Sequence, residues 1–404
     1  MKIAIIDQPL NNRGDQSAHK AFIKVLKDHS FKTLALFINN DINSVKSFFK
    51  DINDVEYKIY NTPKGGSLIK KILIRFPLLF HLIIFFPGYK RFCHDLKNSD
   101  VVVMAPGGAN IGVYKSWSTL SDLYIALSFN KKVAIWGRSI GPLSKKTKSD
   151  RRFFKKAIEV IKQVGFISVR DKKSQDFLSS LDINYVETTD TAFMYTPQVC
   201  LPKELSYLKN KKYIVFVPHE LCSWHPFFKD IDPKKIDYLY INIINKITSM
   251  GYKIVMLPQL FCRGIKGDFH YFTYLKQKVK GSDLDILSEG YDSDIQQVVV
   301  KNADAVIGAR YHSIIFAINN LTPFISLSYE PKMYGILDSL DLKKYSIDLK
   351  NLVMNDDISV FFESIDNIIK SKKIIKNVLK EKKGLAKQIA FDAFEQFIIY
   401  VKNE

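Results

Sequence analysis

Short apolar, β-branched runs alternate along this chain with longer stretches of helical period. The alternation is typical of a parallel sheet with crossover helices, because a strand that is covered on both faces is apolar throughout. In the first half of the chain it predicts strands over 2–7, 33–38, 100–105, 132–137 and 166–170. Helices are predicted from Asp15 to Lys27 and from Asp150 to Val164.

The alternation pauses over 196–212, a stretch with two prolines and a basic end. It resumes with strands predicted over 213–218, 252–258, 304–309 and 323–329. We therefore predict an α/β protein with two Rossmann-like, doubly wound domains facing a cleft, as in the glycosyltransferase-B architecture. The predicted boundaries are 1–204 for the first domain, 205–340 for the second and 341–404 for a C-terminal helical segment.

The composition is that of a folded protein, and 404 residues suit two cores of ordinary size. Lysine and arginine number 60 against 41 acidic residues, which gives a net charge of +19. This excess favours an anionic partner, either a phosphorylated substrate or an acidic membrane face, unless it only reflects solvated, lysine-rich helix faces. Because no basic nucleic-acid module or RNP-type aromatic run occurs, we expect no nucleic-acid partner.

The cysteines are scattered and form no CxxC pair, which argues against structural zinc and against a disulfide framework. His219 and His225 flank Cys222, but no second ligand pair accompanies them, so no metal site is predicted. The apolar N-terminus is too short for a signal peptide and is broken by Asp7. These features predict a protein of a reducing compartment, the cytoplasm.

Residues 72–87, ILIRFPLLFHLIIFFP, form a strongly apolar run with two basic residues near each end. The run is shorter than a membrane span requires, and it contains Arg75 and His81. Two interpretations stay open. The run is either a buried helix or helix and turn of the first domain, or part of an apolar, basic element over 70–91 that lies on the inner face of the cytoplasmic membrane.

Polar or glycine-rich segments follow directly on several predicted strands. They are DQPLNNRGD, APGGANIG, GRSIGP, VRD, PHELCSWH, PQL and GARYHS. Because ligands bind at the carboxyl ends of the strands in open parallel sheets, these segments are the candidates for a substrate site. GGANIG lacks the G-x-G-x-x-G order of a dinucleotide fingerprint, and the chain has no Walker-type phosphate loop.

GARYHS (308–313) combines groups for anion binding and for proton transfer. A helix is predicted to begin here, and its first N–H groups would point at an anion. Arg310 offers a fork for a carboxylate or phosphate, and the imidazole of His312 is a group suited to proton transfer. A capping or core role is the simpler interpretation of a single histidine, but the neighbouring arginine at a strand end favours catalysis. We predict the reaction centre at Arg310 and His312.

Eight short motifs occur in order over roughly residues 1–340. They are NNRGDQSAHKAF (11–22), VVMAPGGANIG (102–112), WGRSIGP (136–142), ISVRDKKSQDFL (167–178), TTDTAFM (188–194), VMLPQ (255–259), VIGARYHSIIFAI (306–318) and SYEPKMYGI (328–336). In this series the chain resembles the polysaccharide pyruvyl transferases. The resemblance implies a glycosyltransferase-B-type enzyme that transfers a pyruvyl group from phosphoenolpyruvate to a sugar, with a last helix that packs back on the first domain.

The motifs of the family also imply functional positions. Those positions are Gly14, Asp15, Arg170, Asp171, Arg310 and His312. Two residues depart from the pattern: Arg138 stands where glutamine is common, and Gln16 stands where an acidic residue is common. Arg138 therefore either adds a cation to the site or only packs.

The donor that the resemblance implies, phosphoenolpyruvate, carries a phosphate and a carboxylate. We expect Arg170 and Arg310 to hold these groups, with Arg138 and Lys332 as further cations. His312 is the candidate acid that protonates the enol carbon. No cofactor is expected besides the donor substrate.

The acceptor sugar requires a group that accepts or orients its hydroxyl proton. Asp15 and Asp190 are the candidates, and Asp15 is assigned to catalysis. The alternative for Asp15 is to cap a helix that begins at Gln16, and for Asp190 to cap the turn that follows it. The residues predicted to contact the acceptor are Asn12, Gly14, Asp190 and Trp224.

The function that the resemblance implies is to form a cyclic pyruvate ketal on a lipid-linked glycan precursor, such as an oligosaccharide on polyprenyl diphosphate, of a bacterial capsule or exopolysaccharide. The apolar, basic element would hold the enzyme at the membrane that carries such precursors. The main alternative is a glycosyltransferase of the same architecture that uses a nucleotide sugar. A third hypothesis is a non-catalytic membrane-associated scaffold, in which Arg310 and His312 would tolerate substitution.

Overall fold

A computed structural model of the chain describes residues 1–8, 11–38, 40–50, 52, 55–61, 72, 87–108, 111–112, 114–261, 267–279, 281, 283–355 and 358–403. Most of the apolar run 72–87 lies outside these residues, so both interpretations of it stay predictions. Among the described residues, no helix combines the length and the hydropathy needed to cross a membrane.

The described strands all belong to two parallel sheets. In chain order they are β1 (Lys2–Ile6), β2 (Lys32–Ile38), β3 (Glu56–Tyr60), β4 (Val101–Met104), β5 (Lys132–Arg138), β6 (Phe166–Val169), β7 (Val186–Glu187), β8 (Tyr213–Val217), β9 (Lys253–Met256), β10 (Leu284–Ile286), β11 (Ala305–Gly308), β12 (Phe324–Ser328) and β13 (Ser346–Asp348). The first sheet has the order β3-β2-β1-β4-β5-β6-β7 and the second β10-β9-β8-β11-β12-β13. Both are doubly wound orders, so the predicted fold class is confirmed.

Helices connect these strands or follow the last of them. They are α1 (Arg13–Asp28), α2 (Ile42–Phe49), α3 (Pro87–Lys97), α4 (Trp117–Leu127), α5 (Lys148–Ile161), α6 (Lys172–Ser179), α7 (Pro233–Ser249), α8 (Asp268–Lys278), α9 (Ser293–Asn302), α10 (Tyr311–Asn319), α11 (Pro331–Ser339), α12 (Leu349–Met354), α13 (Ser359–Lys370) and α14 (Lys372–Lys402). Short 3₁₀ helices lie at Thr191–Met194, Lys203–Asn210 and Lys343–Tyr345. The predicted helices over 15–27 and 150–164 correspond to α1 and α5.

The chain divides into two compact units. Unit 1 comprises Met1–Leu10, Ala18–Tyr195 and Lys387–Glu404, and unit 2 comprises Asn11–Ser17 and Thr196–Ala386. These units differ from the predicted domains at both ends of the second domain and in the first loop. Residues beyond 340 are needed to complete the second sheet, because β13 pairs with β12. Residues 11–17 belong to unit 2, where the Arg13 amide donates to the Gln259 carbonyl at 2.8 Å.

Both faces of the first sheet are buried. Side chains alternate between the faces of a strand, so Ile3 and Ile5 of β1 enter one core cluster while Ala4 and Ile6 enter the other. This double burial explains why the inner strands are largely apolar in sequence.

The C-terminal part of α14 covers one of these faces. Phe397 contacts Trp136 of β5, with ring centroids 5.6 Å apart, and Trp136 stacks on Phe22 of α1 at 5.3 Å. Residues 387–404 are therefore part of the core of unit 1, as the resemblance implied for the last helix.

Candidate active site

The candidate site lies in unit 2, where the order of the second sheet reverses. The neighbouring strands β8 and β11 lead to connections that run in opposite directions from this point. A crevice forms beyond the carboxyl ends of two such strands, and it is the usual ligand site of a doubly wound sheet. The residues that follow β8 and β11 are PHELCSWH and ARYHS.

Arg310 is the N-cap residue of α10, directly after β11. Its guanidinium forms an ion pair with Asp268, and both side chains are largely buried, with 14% and 4% of their surfaces exposed. Burial by itself lowers the pKa of Arg310, but the neighbouring carboxylate of Asp268 and the hydroxyl of Tyr329 raise it above its ordinary value. A permanent positive charge is therefore held at the end of β11.

His312 is the second residue of α10 and is 6% exposed. Its ring lies directly against the backbone of Gly14, in the first turn of α1. A β-carbon built on Gly14 would lie 2.0 Å from both Cγ and Nδ1 of His312, far inside van der Waals contact. The glycine predicted from the first loop motif therefore has a physical role, because no larger residue allows this approach.

Asn12 caps α1 and shapes the loop beside His312. Its side-chain oxygen accepts from the amide of Gly14 at 2.8 Å and from the amide of Asp15 at 3.3 Å. The helix therefore begins at Arg13, and the alternative in which Asp15 caps a helix starting at Gln16 is wrong. Asp15 is half-buried in the first turn, next in sequence to the glycine that touches His312.

His219, after β8, is a buried neutral histidine between Arg310 and the end of β12. Its Nδ1 lies 2.9 Å from the hydroxyl of Tyr329. Burial, together with the charges of Arg310 and Lys332, lowers its pKa well below the ordinary value. His219 is therefore uncharged at neutral pH and serves as a hydrogen-bonding group.

Trp224 and Lys332 lie on the same side of unit 2 as these histidines. The Trp224 ring is 40% exposed, its Nε1 donates to the Glu220 carbonyl at 2.8 Å, and its centroid lies 5.3 Å from that of His219. Lys332, at the start of α11, pairs with Glu330 at 2.8 Å and lies 5.6 Å from the ring centroid of Tyr311. An aromatic face and a cation therefore accompany the Arg310 and His312 pair.

Arg138 belongs to unit 1, where it ties together the ends of three strands. It is 1% exposed, and its Nε donates to the Ala105 carbonyl at 2.5 Å. Its Nη2 donates to the Asp7 carbonyl at 2.9 Å, and its Nη1 lies 2.7 Å from the carboxylate of Asp7. These contacts agree with the packing alternative for Arg138, and its role in donor binding stays a prediction.

Arg170 and Asp190 form a buried ion pair in unit 1, with 2% and 0% of their side chains exposed. The second oxygen of Asp190 accepts from the amide of Ala192 at 3.0 Å, so Asp190 also caps the 3₁₀ helix that follows. The turn-capping alternative for Asp190 is thus present in the structure. The substrate contacts expected of Arg170 and Asp190 stay predictions.

The predicted residues divide between the units. Unit 2 contains Asn12, Gly14, Asp15, Trp224, Arg310, His312 and Lys332, and unit 1 contains Arg138, Arg170 and Asp190. Sequence reasoning missed Asp268 as the partner of Arg310, and it missed the hydrogen bond between His219 and Tyr329. Tyr329 lies inside the SYEPKMYGI motif, which was a usable signal, whereas Asp268 belongs to none of the eight motifs.

Comparisons with known proteins bear on the family and the fold of this chain. The sequence model of the family polysaccharide pyruvyl transferase matches residues 12–331. The amylovoran biosynthesis protein AmsJ of Erwinia amylovora is 25% identical over 429 residues, which cover 98% of this chain and 99% of that protein.

The solved structures of similar fold include two that match over the whole chain. S. aureus MnaA, in a co-structure with UDP, has a TM-score of 0.61 at 12% identity and covers 100% of this chain and 98% of its own. Glycyrrhiza uralensis UGT73P12, complexed with glycyrrhetinic acid 3-O-monoglucuronide, has a TM-score of 0.61 at 9% identity, with 100% and 96% covered. These likenesses concern the fold, which is glycosyltransferase-B-like. The family match extends over most of the chain and includes the Arg310 and His312 segment, so the chain belongs to the polysaccharide pyruvyl transferase family and is a pyruvyl transferase of polysaccharide biosynthesis.

Proposed function

We propose that the pyruvyl donor is phosphoenolpyruvate and that it binds in unit 2 at the ends of β11 and β12. The observation that carries this proposal is that Arg310 and His312 both lie at the point where the strand order reverses. One is a permanent cation anchored by Asp268, and the other is an imidazole seated against the backbone of Gly14. A small dianionic or trianionic donor requires both an anion clamp and an acid, and these two residues offer both.

The anionic groups of the donor have several partners here. Arg310 uses one nitrogen for Asp268, which leaves the rest of its fork for a phosphate or carboxylate. The first amides of α10 and α11 have no carbonyl one turn earlier in their own helices, so they favour negative charge at the ends of β11 and β12. Lys332 adds a second positive charge at the start of α11.

In the proposed reaction, the donor gains a proton and two bonds to sugar oxygens and loses its bond to phosphate. His312 delivers a proton to the methylene carbon of the enol, and the neighbouring carbon becomes oxocarbenium-like. One sugar hydroxyl bonds to that carbon and loses its proton, for which Asp15 is the acceptor in this proposal. A second hydroxyl of the same sugar bonds to the same carbon as the bond to phosphate breaks. The released phosphate takes up the second proton, and the product is a cyclic ketal with one carboxylate.

The acceptor in this proposal is a sugar of a polyprenyl-diphosphate-linked precursor, modified at the inner face of the cytoplasmic membrane. The net charge of +19 supports a surface that attracts an anionic membrane and a diphosphate group. The exposed ring of Trp224 supports a stacking contact with the apolar face of a sugar.

The experiment that tests the proposal is release of phosphate from phosphoenolpyruvate by the purified chain. It is measured with and without galactose-, mannose- and glucosamine-type acceptors on a lipid diphosphate, and the products are analysed by mass spectrometry. We expect release that depends on the acceptor, with the mass gain of a pyruvate ketal, and loss of both in His312→Gln. No release with any acceptor, together with binding of a nucleotide sugar, would overturn the proposal in favour of a glycosyltransferase.

A further inference from the structure

Asp268 connects three elements at the edge of the candidate site. It is the first residue of α8, and its side chain is 4% exposed. One carboxylate oxygen accepts from the amides of Gln259 and Leu260, at 2.9 and 3.0 Å, just beyond the end of β9. The other oxygen accepts from Nη2 of Arg310, at the end of β11.

The two backbone amides hold the carboxylate of Asp268 in place independently of its contact with Arg310. An aspartate side chain that accepts two backbone N–H bonds has little freedom to turn, because the backbone of the segment after β9 sets the position of its oxygen. The long side chain of Arg310 is then held by this carboxylate at Nη2. Its Nε has no hydrogen-bond partner among the described residues, although it is buried. A donor for a further anion is therefore left in a defined orientation.

We infer that Asp268 is a positioning residue of the transferase, which orients the guanidinium of Arg310 for the anionic group of the pyruvyl donor. This inference rests on the proposed function, since it takes phosphoenolpyruvate as the ligand of Arg310. The competing explanation is that Asp268 only stabilises the loop after β9 and the start of α8. The two explanations differ in what a substitution does to donor affinity at equal stability.

The test uses Asp268→Asn with Asp237→Asn as its matched control. The asparagine keeps one oxygen for the amides of Gln259 and Leu260 but removes the negative charge that holds Arg310. Asp237 also anchors α8, because it accepts from the hydroxyls of Tyr271 at 2.6 Å and Tyr274 at 2.9 Å, yet it makes no bond to Arg310. Asp237→Asn thus weakens the same helix without touching the arginine.

Three quantities are measured for the wild type and both variants: the Kd for phosphoenolpyruvate by calorimetry, kcat and KM for donor and acceptor, and the unfolding midpoint. We expect Asp268→Asn to raise the Kd and KM for phosphoenolpyruvate about tenfold, a normal size for breaking a buried charged contact. The KM of Asp268→Asn for the acceptor stays unchanged. Asp237→Asn keeps the wild-type Kd and KM for phosphoenolpyruvate, even if its unfolding midpoint falls by as much as that of Asp268→Asn. In the Arg310→Lys background, Asp268→Asn adds much less than in the wild type, because the two residues act through one contact.

The outcomes separate the two proposals. Equal donor Kd in the wild type and Asp268→Asn, or equal losses in both variants, overturns the positioning role while leaving the donor assignment intact. A wild-type protein that does not bind phosphoenolpyruvate overturns the donor assignment and this inference with it.

Discussion

The packing of Gly14 against His312 makes Gly14→Ala the most informative single change in this enzyme. In an ordinary helix interior the change from glycine to alanine stabilises by about 1 kcal/mol. Gly14 lies in the first turn of α1, and its backbone is not in the left-handed region. The backbone conformation of the helix therefore accepts an alanine at this position. The cost arises entirely from the neighbour.

The size of that cost follows from the distances. The added β-carbon would lie 2.0 Å from Cγ and Nδ1 of His312 and 2.4 Å from its Cβ. Carbon atoms in contact are about 3.5 to 4.0 Å apart, so the ring or the helix must move by about 1.5 Å. Overpacking of this kind costs about 1–3 kcal/mol of stability, which the gain in helix propensity partly offsets. A catalytic group displaced by about 1 Å loses about a hundredfold in rate.

We therefore expect Gly14→Ala to lower kcat about a hundredfold while the unfolding free energy falls by no more than about 2 kcal/mol. The assay is phosphate release at saturating donor and acceptor, with chemical denaturation of the same preparation. Gly384→Ala is the matched control. An added β-carbon on Gly384, in α14, meets nothing within 4 Å, so that variant keeps full activity and equal or greater stability.

Wild-type turnover in a folded Gly14→Ala protein would refute the reasoning. It would mean either that His312 does not have to keep its position or that it is not the acid. A crystal structure of the variant would separate these cases, because it would show whether the ring had moved.

Further predictions concern the same side of unit 2. His312→Gln lowers kcat by about 10²- to 10⁴-fold with an unchanged calorimetric Kd for phosphoenolpyruvate, and near-normal kcat would exclude it as the acid. Trp224→Ala raises the KM for the acceptor about fivefold and leaves the donor KM alone, as expected for the loss of about 1 kcal/mol of stacking, and equal effects on both constants would contradict that role. The pKa of folded His219 lies well below that of the unfolded chain, near 6.5, so the unfolded state binds more protons and stability falls as the pH drops below about 6.5. The slope from this group is at most about 1.4 kcal/mol per pH unit, and denaturation at several pH values should show it reduced in His219→Gln.

The sequence alone determined the fold class and the interior of both sheets. All nine predicted strands are present, and they are the inner strands. Each is covered on both faces, so most positions are apolar and the run is visible without any knowledge of its neighbours. The family motifs likewise located Arg310, His312 and Gly14, because their spacing along the chain is local information.

The strands that sequence reasoning missed are the edge strands of both sheets: β3, β7, β10 and β13. β7, β10 and β13 have only two or three residues each, and most residues of all four strands are partly exposed, so they carry no continuous apolar signal. Recognising them depends on the strand beside them, which only the assembled sheet shows. The predicted end of the second domain at residue 340 was too early for the same reason. β13 belongs to the second sheet because it pairs with β12, and no apolar pattern in its own sequence indicates this.

The working contacts of the site were decided by tertiary structure. Asp268 reaches Arg310 from 42 residues away, and no periodicity connects the two. What joins them is the pairing of β9 with β8 and of β8 with β11, which brings the ends of those strands to one edge. Gly14 meets His312 because residues 11–17 join unit 2 while the rest of α1 belongs to unit 1. The local pattern of apolar residues indicates how deeply each segment is buried. The partner of a polar side chain is instead set by strand order and register, which are properties of the whole sheet.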